Sequence, residues 1–437
     1  MTRSCNRRQA LAAIGGAALA TGTLGPIGAA AADAGDTVYV GEDGNYVRAL
    51  DVSDGSERWS RRLGTRVTSP LPTVWNGTVY AAVAADSETV HALDADDGSV
   101  RWTASTEGTA RTHPTVVDGV VYVGDEEGVL TALDAADGTT KWEFEANSAI
   151  HASPTVAGGT VYFGSDDGNV YAIDADTGGE SWSFGTSNRV RTTPVVDGST
   201  VYFGSDDQYL YAVSTAGSER WRYETDGYVR STPVVDDDHV YVASADETLY
   251  ALERSDASEV WEFSTVDVAR TTPILDDGTL YIGSDNGDLF AVSTDDGSRE
   301  WSFSTARPVR SSPTLADGTV FVGSDIESLF AIDAETGVEE WEVEMTGAVR
   351  SSPAISRADE GPADEEAGDE ADEAEDADDE PADETEGDDD ESDEAATDDD
   401  ASQSDEPEVA FEVPGFEIAS ALLSIGIVSY LLKKRAD

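Results

Sequence analysis

Three residues before a proline that recurs along the chain stand Arg111, His151, Arg191, Arg230, Arg270, Arg310 and Arg350. Val67 holds the eighth such place, with Arg66 beside it. Arginine carries a planar, permanently charged fork that grips a carboxylate or phosphate through two parallel hydrogen bonds. Bases at equivalent places therefore point to one of two chemistries. Gathered round an axis, they focus positive potential and take an anionic ligand or the acidic part of a partner. Alternatively each pairs with acidic residues of a neighbouring unit, Asp166 and Asp206 among them, and acts as mortar. The four histidines, His91, His113, His151 and His239, are scattered without metal-ligand spacing. The single cysteine, Cys5, precedes an apolar leader, so neither disulfides nor thiolate metal sites are expected beyond it. Runs such as Ser165-Asp166-Asp167-Gly168 carry too few ligands for a dedicated calcium loop and suit hairpin turns. Neither a metal site nor catalytic residues are expected.

The elements that position these bases repeat every ~40 residues. A tryptophan marks each copy: Trp59, Trp102, Trp142, Trp182, Trp221, Trp261, Trp301 and Trp341, with only Trp75 outside the series. Within the copy from Val161 to Thr200, four short apolar runs are spaced by turn residues, and none has helical periodicity. The runs are Val161–Gly164, Val170–Ile173, Ser181–Phe184 and Thr193–Val196. Asp166-Asp167-Gly168, Asp176-Thr177-Gly178 and Asp197-Gly198 supply the tight turns of antiparallel strands. Four strands per repeat predict an all-β, eight-bladed β-propeller of four-stranded antiparallel blades over residues 36–357. The chain opens on a run of the Thr37–Gly41 type and closes on Ser351–Ile355. These ends are expected to pair within one blade, which removes the free edges of an open array.

The pattern Ala-x-Asp-x-x-x-Gly-x-x-x-Trp resembles the tryptophan-docking repeat of PQQ-like, or quinoprotein-type, propellers. It stands complete at Ala49 to Trp59, Ala92 to Trp102, Ala132 to Trp142, Ala172 to Trp182 and Ala331 to Trp341. Ser293 replaces the Asp before Trp301, Glu253 and Ala257 replace Asp and Gly before Trp261, and the copy ending at Trp221 is one residue short. The resemblance implies that all eight tryptophans pack between adjacent blades. It also implies that the innermost strands line the axis, which places the seven bases around one mouth of the channel. PQQ-dependent dehydrogenases of this class hold a quinone on the axis, with a calcium bound by Glu, Asn and Asp. Here no such constellation and no long insertion is recognisable, so no cofactor is expected, with PQQ and calcium as the alternative. Compact repeats without insertions look more like the propeller lipoprotein of the outer-membrane protein assembly machinery, a non-catalytic scaffold.

The ends of the chain have other compositions. Residues 1–32 resemble a Tat signal, with Arg7-Arg8 ahead of an Ala/Gly-rich run and Ala10 where that motif has Phe. Residues 358–412 form an acidic stalk that cannot bury enough apolar surface to fold. Residues 413–437 carry Pro414-Gly415-Phe416, an apolar run from Ile418 to Leu432 and the basic Lys433-Lys434-Arg435. This resembles the PGF-type sorting signal of archaeal surface proteins, in which the tail is exchanged for a lipid. Uncut, it is a short membrane anchor. Asn76-Gly77-Thr78 reads either as a glycosylation sequon or as a bare hairpin turn.

The formal net charge of the chain is −64. Lys141 is the only lysine before Lys433. Such a surface suits molar salt, where a Debye length of about 3 Å screens its self-repulsion. It disfavours nucleic acid as a partner. The expectation is an exported, cell-surface-anchored, monomeric binding or scaffolding propeller of a halophile, with an unknown protein or anionic ligand as partner. A PQQ-dependent dehydrogenase and a structural envelope protein are the alternatives.

Overall fold

The computed structural model describes residues 36–43, 46–63, 72–83 and 89–356. These residues form 32 strands in eight four-stranded antiparallel sheets, with no helix among them. We number the sheets as blades 1 to 8 by the order of their second strands. Blade 1 contains Thr37–Glu42, Tyr46–Asp51 and Glu57–Arg62, and its innermost strand is Ala354–Ser356 from the far end of the domain. Blades 2 to 8 start at the innermost strands Thr73–Trp75, Thr115–Val117, Thr155–Ala157, Val195–Asp197, Val234–Val235, Ile274–Asp276 and Thr314–Ala316. The expected closure is present, with Thr37 opposite Ser356, Val38 opposite Ile355 and Tyr39 opposite Ala354.

Burial within a blade follows the pattern of its residues. In blade 4 the middle strands Thr160–Gly164 and Asn169–Asp174 are covered on both faces, whereas the outermost strand Glu180–Gly185 alternates exposed with half-buried residues. A strand sandwiched between blades needs apolar residues on both sides, and a rim strand needs them on one. Each apolar cluster accordingly spans two blades. Tyr162, Val170 and Ala172 of blade 4, for example, meet Val201, Phe203 and Tyr211 of blade 5.

The docking repeat has a local cause at every position. Ala172 lies directly opposite Trp182, and its small side chain leaves room for the indole. A bulge follows at once, because Ile173 pairs with Glu180. The Asp174 carboxylate accepts from Thr177 N at 2.9 Å, and Gly178, at φ +71°, closes the turn by donating to Asp174 O at 2.9 Å. A Cβ on Gly178 would stand 2.8 Å from Trp142 of the preceding blade, so the absent side chain makes the seat for that ring. Trp142 Nε1 then donates to Ala175 O at 2.8 Å. The same bond joins every neighbouring pair of blades, through Trp59, Trp102, Trp182, Trp221, Trp261 and Trp301, and Trp341 closes the ring on Val52 O at 3.0 Å. Where Ala257 replaces the glycine it is held at φ +60°, a conformation costly for a residue with a Cβ.

The innermost strands are shorter than the sequence suggests. Blade 5 pairs over Val195–Asp197 rather than from Thr193. Pro194 has no N–H to give, and Thr193 N donates sideways to Thr232 Oγ1 of the next blade at 3.3 Å.

Candidate functional site at the guanidinium mouth

Each base of the repeat lies on the segment that leaves one blade and enters the next. The acid opposite it follows the second strand of a blade. Asp166, Asp206, Asp285, Asp325, Glu126 and Asp43 occupy this place in six blades. Their turns are held alike, since Asp166 N donates to Ala149 O at 2.9 Å, Asp206 N to Arg189 O at 2.8 Å and Asp285 N to Val268 O at 3.0 Å. The turns and the blade-entering segments therefore bring carboxylates and guanidinium groups to one mouth.

There the two signs alternate. Arg191 grips Asp166 with both Nε and Nη2, at 2.7 and 2.6 Å, and Arg230 grips Asp206 at 2.7 and 2.8 Å. The Arg230 guanidinium also lies over the Tyr228 ring, 4.5 Å from its centroid. Farther round, each carboxylate bridges two arginines. Asp285 takes Arg270 at 3.1 Å and Arg310 at 3.2 Å, while Asp325 takes Arg310 at 3.2 Å and Arg350 at 2.8 Å. Arg350 reaches on to Asp43 of blade 1 at 2.7 Å, across the closure. Arg111 pairs with Glu126, and His151 Nε2 lies 3.7 Å from Asp166. Burial would raise the pKa of Asp166, but the hydrogen bond and charge of Arg191 outweigh it and hold the carboxyl below its ordinary range. Burial lowers that of His151, with Arg191 and Arg111 acting in the same direction against Asp166.

The sequence-predicted bases Arg111, His151, Arg191, Arg230, Arg270, Arg310 and Arg350 thus stand around one mouth, but they do not form an uncompensated positive ring. Six arginines face six carboxylates. At four places the two signs differ in depth: the side chains of Asp166, Asp206, Asp285 and Asp325 are 9–15% exposed, against 25–47% for the arginines they hold. There acid lies beneath and guanidinium on top, whereas Glu126 and Asp43 are about as exposed as their arginines. The acid layer extends beyond Asp166 and Asp206, the two members named from the sequence, to Asp285, Asp325, Glu126 and Asp43. Its signal is an Asp 25 residues before the base, as in Asp166 with Arg191, Asp285 with Arg310 and Asp325 with Arg350.

Below the crown lies a collar of small hydroxyls. His113 N donates to Ser153 Oγ at 3.0 Å, Thr272 N to Ser312 Oγ at 2.9 Å and Ser312 N to Ser352 Oγ at 2.8 Å, each bond crossing to the next blade. One position on, Thr115 Oγ1 donates to Pro154 O and Thr155 Oγ1 to Pro194 O, both at 2.6 Å. His113 stands in the collar where six other blades have Ser or Thr, and burial pushes its pKa down to about 3 although part of its surface stays accessible. Among the described residues no group of three or more His, Cys, Asp and Glu is arranged to hold a metal ion. Asn76 is exposed at φ +46° in the turn between the first two strands of blade 2. Val67, Arg66, Arg7, Arg8, Pro414, Gly415 and Phe416 lie outside the described residues, as do the leader, stalk and anchor assigned to 1–32, 358–412 and 413–437.

Eight four-stranded blades, tryptophans docked on the following blade and a ring closed by the first and last strands of the domain define a tryptophan-docked β-propeller. The chain belongs to the PQQ-like repeat family described as outer membrane protein assembly factor BamB, whose model matches residues 9–105, 80–183, 166–271 and 264–361. Its fold is shared with BamB from Moraxella catarrhalis, at 22% identity and a TM-score of 0.55 over 65% of this chain and 89% of that one. The quinohemoprotein alcohol dehydrogenase from Comamonas testosteroni matches at 16% identity and a TM-score of 0.58, over 67% of this chain and 69% of that one. The computationally designed Ika8 protein matches at 15% identity and a TM-score of 0.60, over 66% and 91%. No curated protein matches the chain.

Proposed function

We propose that the protein is a non-catalytic binding and scaffolding propeller of the cell surface, taking an anionic ligand or the acidic segment of a partner at its guanidinium mouth. The observation that carries this reading is the depth difference between carboxylate and guanidinium at Asp166, Asp206, Asp285 and Asp325. Nearly buried carboxylates fix the arginines from below, and the forks that remain accessible face outward already oriented. An assembly factor, the description carried by the family, works by engaging other proteins, which supports a protein partner. The twin-arginine leader, the acidic stalk and the PGF segment support export and attachment at the outer face of the membrane. The acidic surface, with a single lysine ahead of the C-terminal basic end, supports a halophilic setting.

A quinone-with-calcium reading finds less support. The carboxylates at the mouth are committed to arginines, and no cluster with the donor set of a metal site accompanies them among the described residues. The test is to capture anionic ligands and acidic partners with the full chain and with Arg230→Ala combined with Arg310→Ala. The double variant should keep a cooperative melt and lose binding more than tenfold. Unchanged binding on an intact fold would exclude the mouth as the site.

A further inference from the structure

Three carboxylates of the lower layer sit between two bases, one about 15 residues earlier in the chain and one about 25 later. Asp285 shows the full arrangement with Arg270 and Arg310, and Asp325 shows it with Arg310 and Arg350. Asp166 sits likewise between His151 and Arg191. In blade 6 the residue at this place is Ala245. Its backbone is held as in the other blades, because Ala245 N donates to Tyr228 O at 2.9 Å, just as Asp206 N does to Arg189 O at 2.8 Å. The seat between Arg230 and Arg270 is therefore built, but its side chain stops at a methyl group.

The bases on either side register the difference. Arg270 turns forward to Asp285 and bonds it through Nε alone, and its two terminal nitrogens have no partner among the described residues. Arg230 is held by Asp206 through Nε and Nη2 and stacked on the Tyr228 ring, which leaves its Nη1 without a hydrogen-bond partner among the described residues. The acid next in sequence does not fill the seat. Asp246 accepts from Thr248 N at 3.1 Å, Asp226 N at 2.9 Å and the Tyr250 hydroxyl at 3.0 Å. Ala245 itself is half-exposed, so the seat opens to solvent. Ala84, the corresponding residue of blade 2, lies outside the described residues.

We infer that the Ala245 seat is a carboxylate-binding subsite, filled by an Asp or Glu side chain from an acidic segment of a second polypeptide. The inference rests on the binding role proposed for the mouth and assigns it to one sector. The chemistry is that of the other blades: a planar carboxylate bridging two guanidinium groups, supplied in trans rather than by residue 245. Contact pairs of this kind persist in molar salt, where long-range repulsion between two acidic chains is screened.

The experiment measures anisotropy of a fluorescein-labelled deca-glutamate peptide titrated with the full chain in molar potassium chloride. Ala245→Asp places the missing carboxylate in the seat, and should weaken binding more than tenfold while raising the melting temperature by about 1–3 °C. Arg270→Ala should weaken binding comparably. Gln208→Glu adds the same charge to the turn of blade 5 on this face, outside the seat, and should leave affinity within twofold. Absence of peptide binding to the unaltered chain, full affinity in Ala245→Asp, or an equal loss in Gln208→Glu would each overturn the inference. So would competition by inorganic phosphate far stronger than by acetate at matched ionic strength. If Ala245→Asp binds normally while Arg230→Ala with Arg310→Ala does not, the seat is wrong and the binding role of the mouth stands.

Discussion

His113 shows how one residue changes the chemistry of a repeated position. Serine and threonine at this collar place are neutral at any pH, whereas an imidazole held down to about 3 stays neutral in the fold and gains a proton once the chain unfolds. The folded value lies below the unfolded one of about 6.5, so between these values the unfolded state binds more protons. Stability contributed in this way is complete above about pH 6.5 and declines as pH falls. His151, also shifted downward, acts in the same direction. Asp166 enters later. Its folded pKa is depressed, so its contribution is present above about 4 and is lost below, as the carboxylate paired with Arg191 takes up a proton. Chemical denaturation from pH 7 to 4 in molar salt should show a stability decline whose slope approaches ~1.4 kcal/mol per pH unit for a single histidine. In His113→Gln most of that decline above pH 4.5 should disappear. An unchanged slope would mean that the imidazole is protonated in the folded state.

At the scale of the element, the docking turn makes a reciprocal prediction. Gly178 combines a positive φ with a ring against its α-carbon, so Gly178→Ala must both strain the backbone and push Trp142 aside. Its cost should be about 1–3 kcal/mol by denaturant titration. Ala257 already carries that cost at φ +60°, and Ala257→Gly should return about 1 kcal/mol. Destabilisation by Ala257→Gly would show that blade 6 has repacked around the methyl group. Most of this element is readable from the repeat itself, because alanine, aspartate, glycine and tryptophan each answer a local demand of the turn. The hydroxyl collar is less readable. Ser and Thr beside Pro look like ordinary turn residues until the neighbouring blade supplies Ser153 or Ser312 as an acceptor.

For the whole molecule, integrity depends on the closing blade, where contacts made elsewhere by residues close in sequence are made by opposite ends of the domain. Glu42 strengthens this seam. Its fully buried carboxylate accepts from Arg48 Nε at 3.0 Å, from Thr346 N at 2.7 Å and from Thr346 Oγ1 at 2.9 Å. Most other blades have serine in its place. Glu42→Ala removes the shared acceptor and leaves buried donors without a partner, at about 3 kcal/mol. Hydrogen exchange should then accelerate first in Thr37–Glu42 and Ala354–Ser356, ahead of blades 4 and 5. Uniform acceleration around the ring would instead mean that the propeller opens as one unit.

The spacing of eight tryptophans, the turn residues and the unmatched first and last strands determined the all-β class, the blade count and the closure without reference to any contact. These features repeat because each blade meets the same local requirements, and repetition makes them visible in one dimension. The tertiary structure decided what the bases do. Arg191 and Arg230 turn back to the acid of the blade they leave, whereas Arg270 turns forward because Ala245 offers it nothing. A guanidinium with one carboxylate place about 25 residues before it and another about 15 after is assigned only by reach and competition in space. For the same reason the order of acid beneath and base above, on which the binding role rests, exists only once neighbouring blades have met.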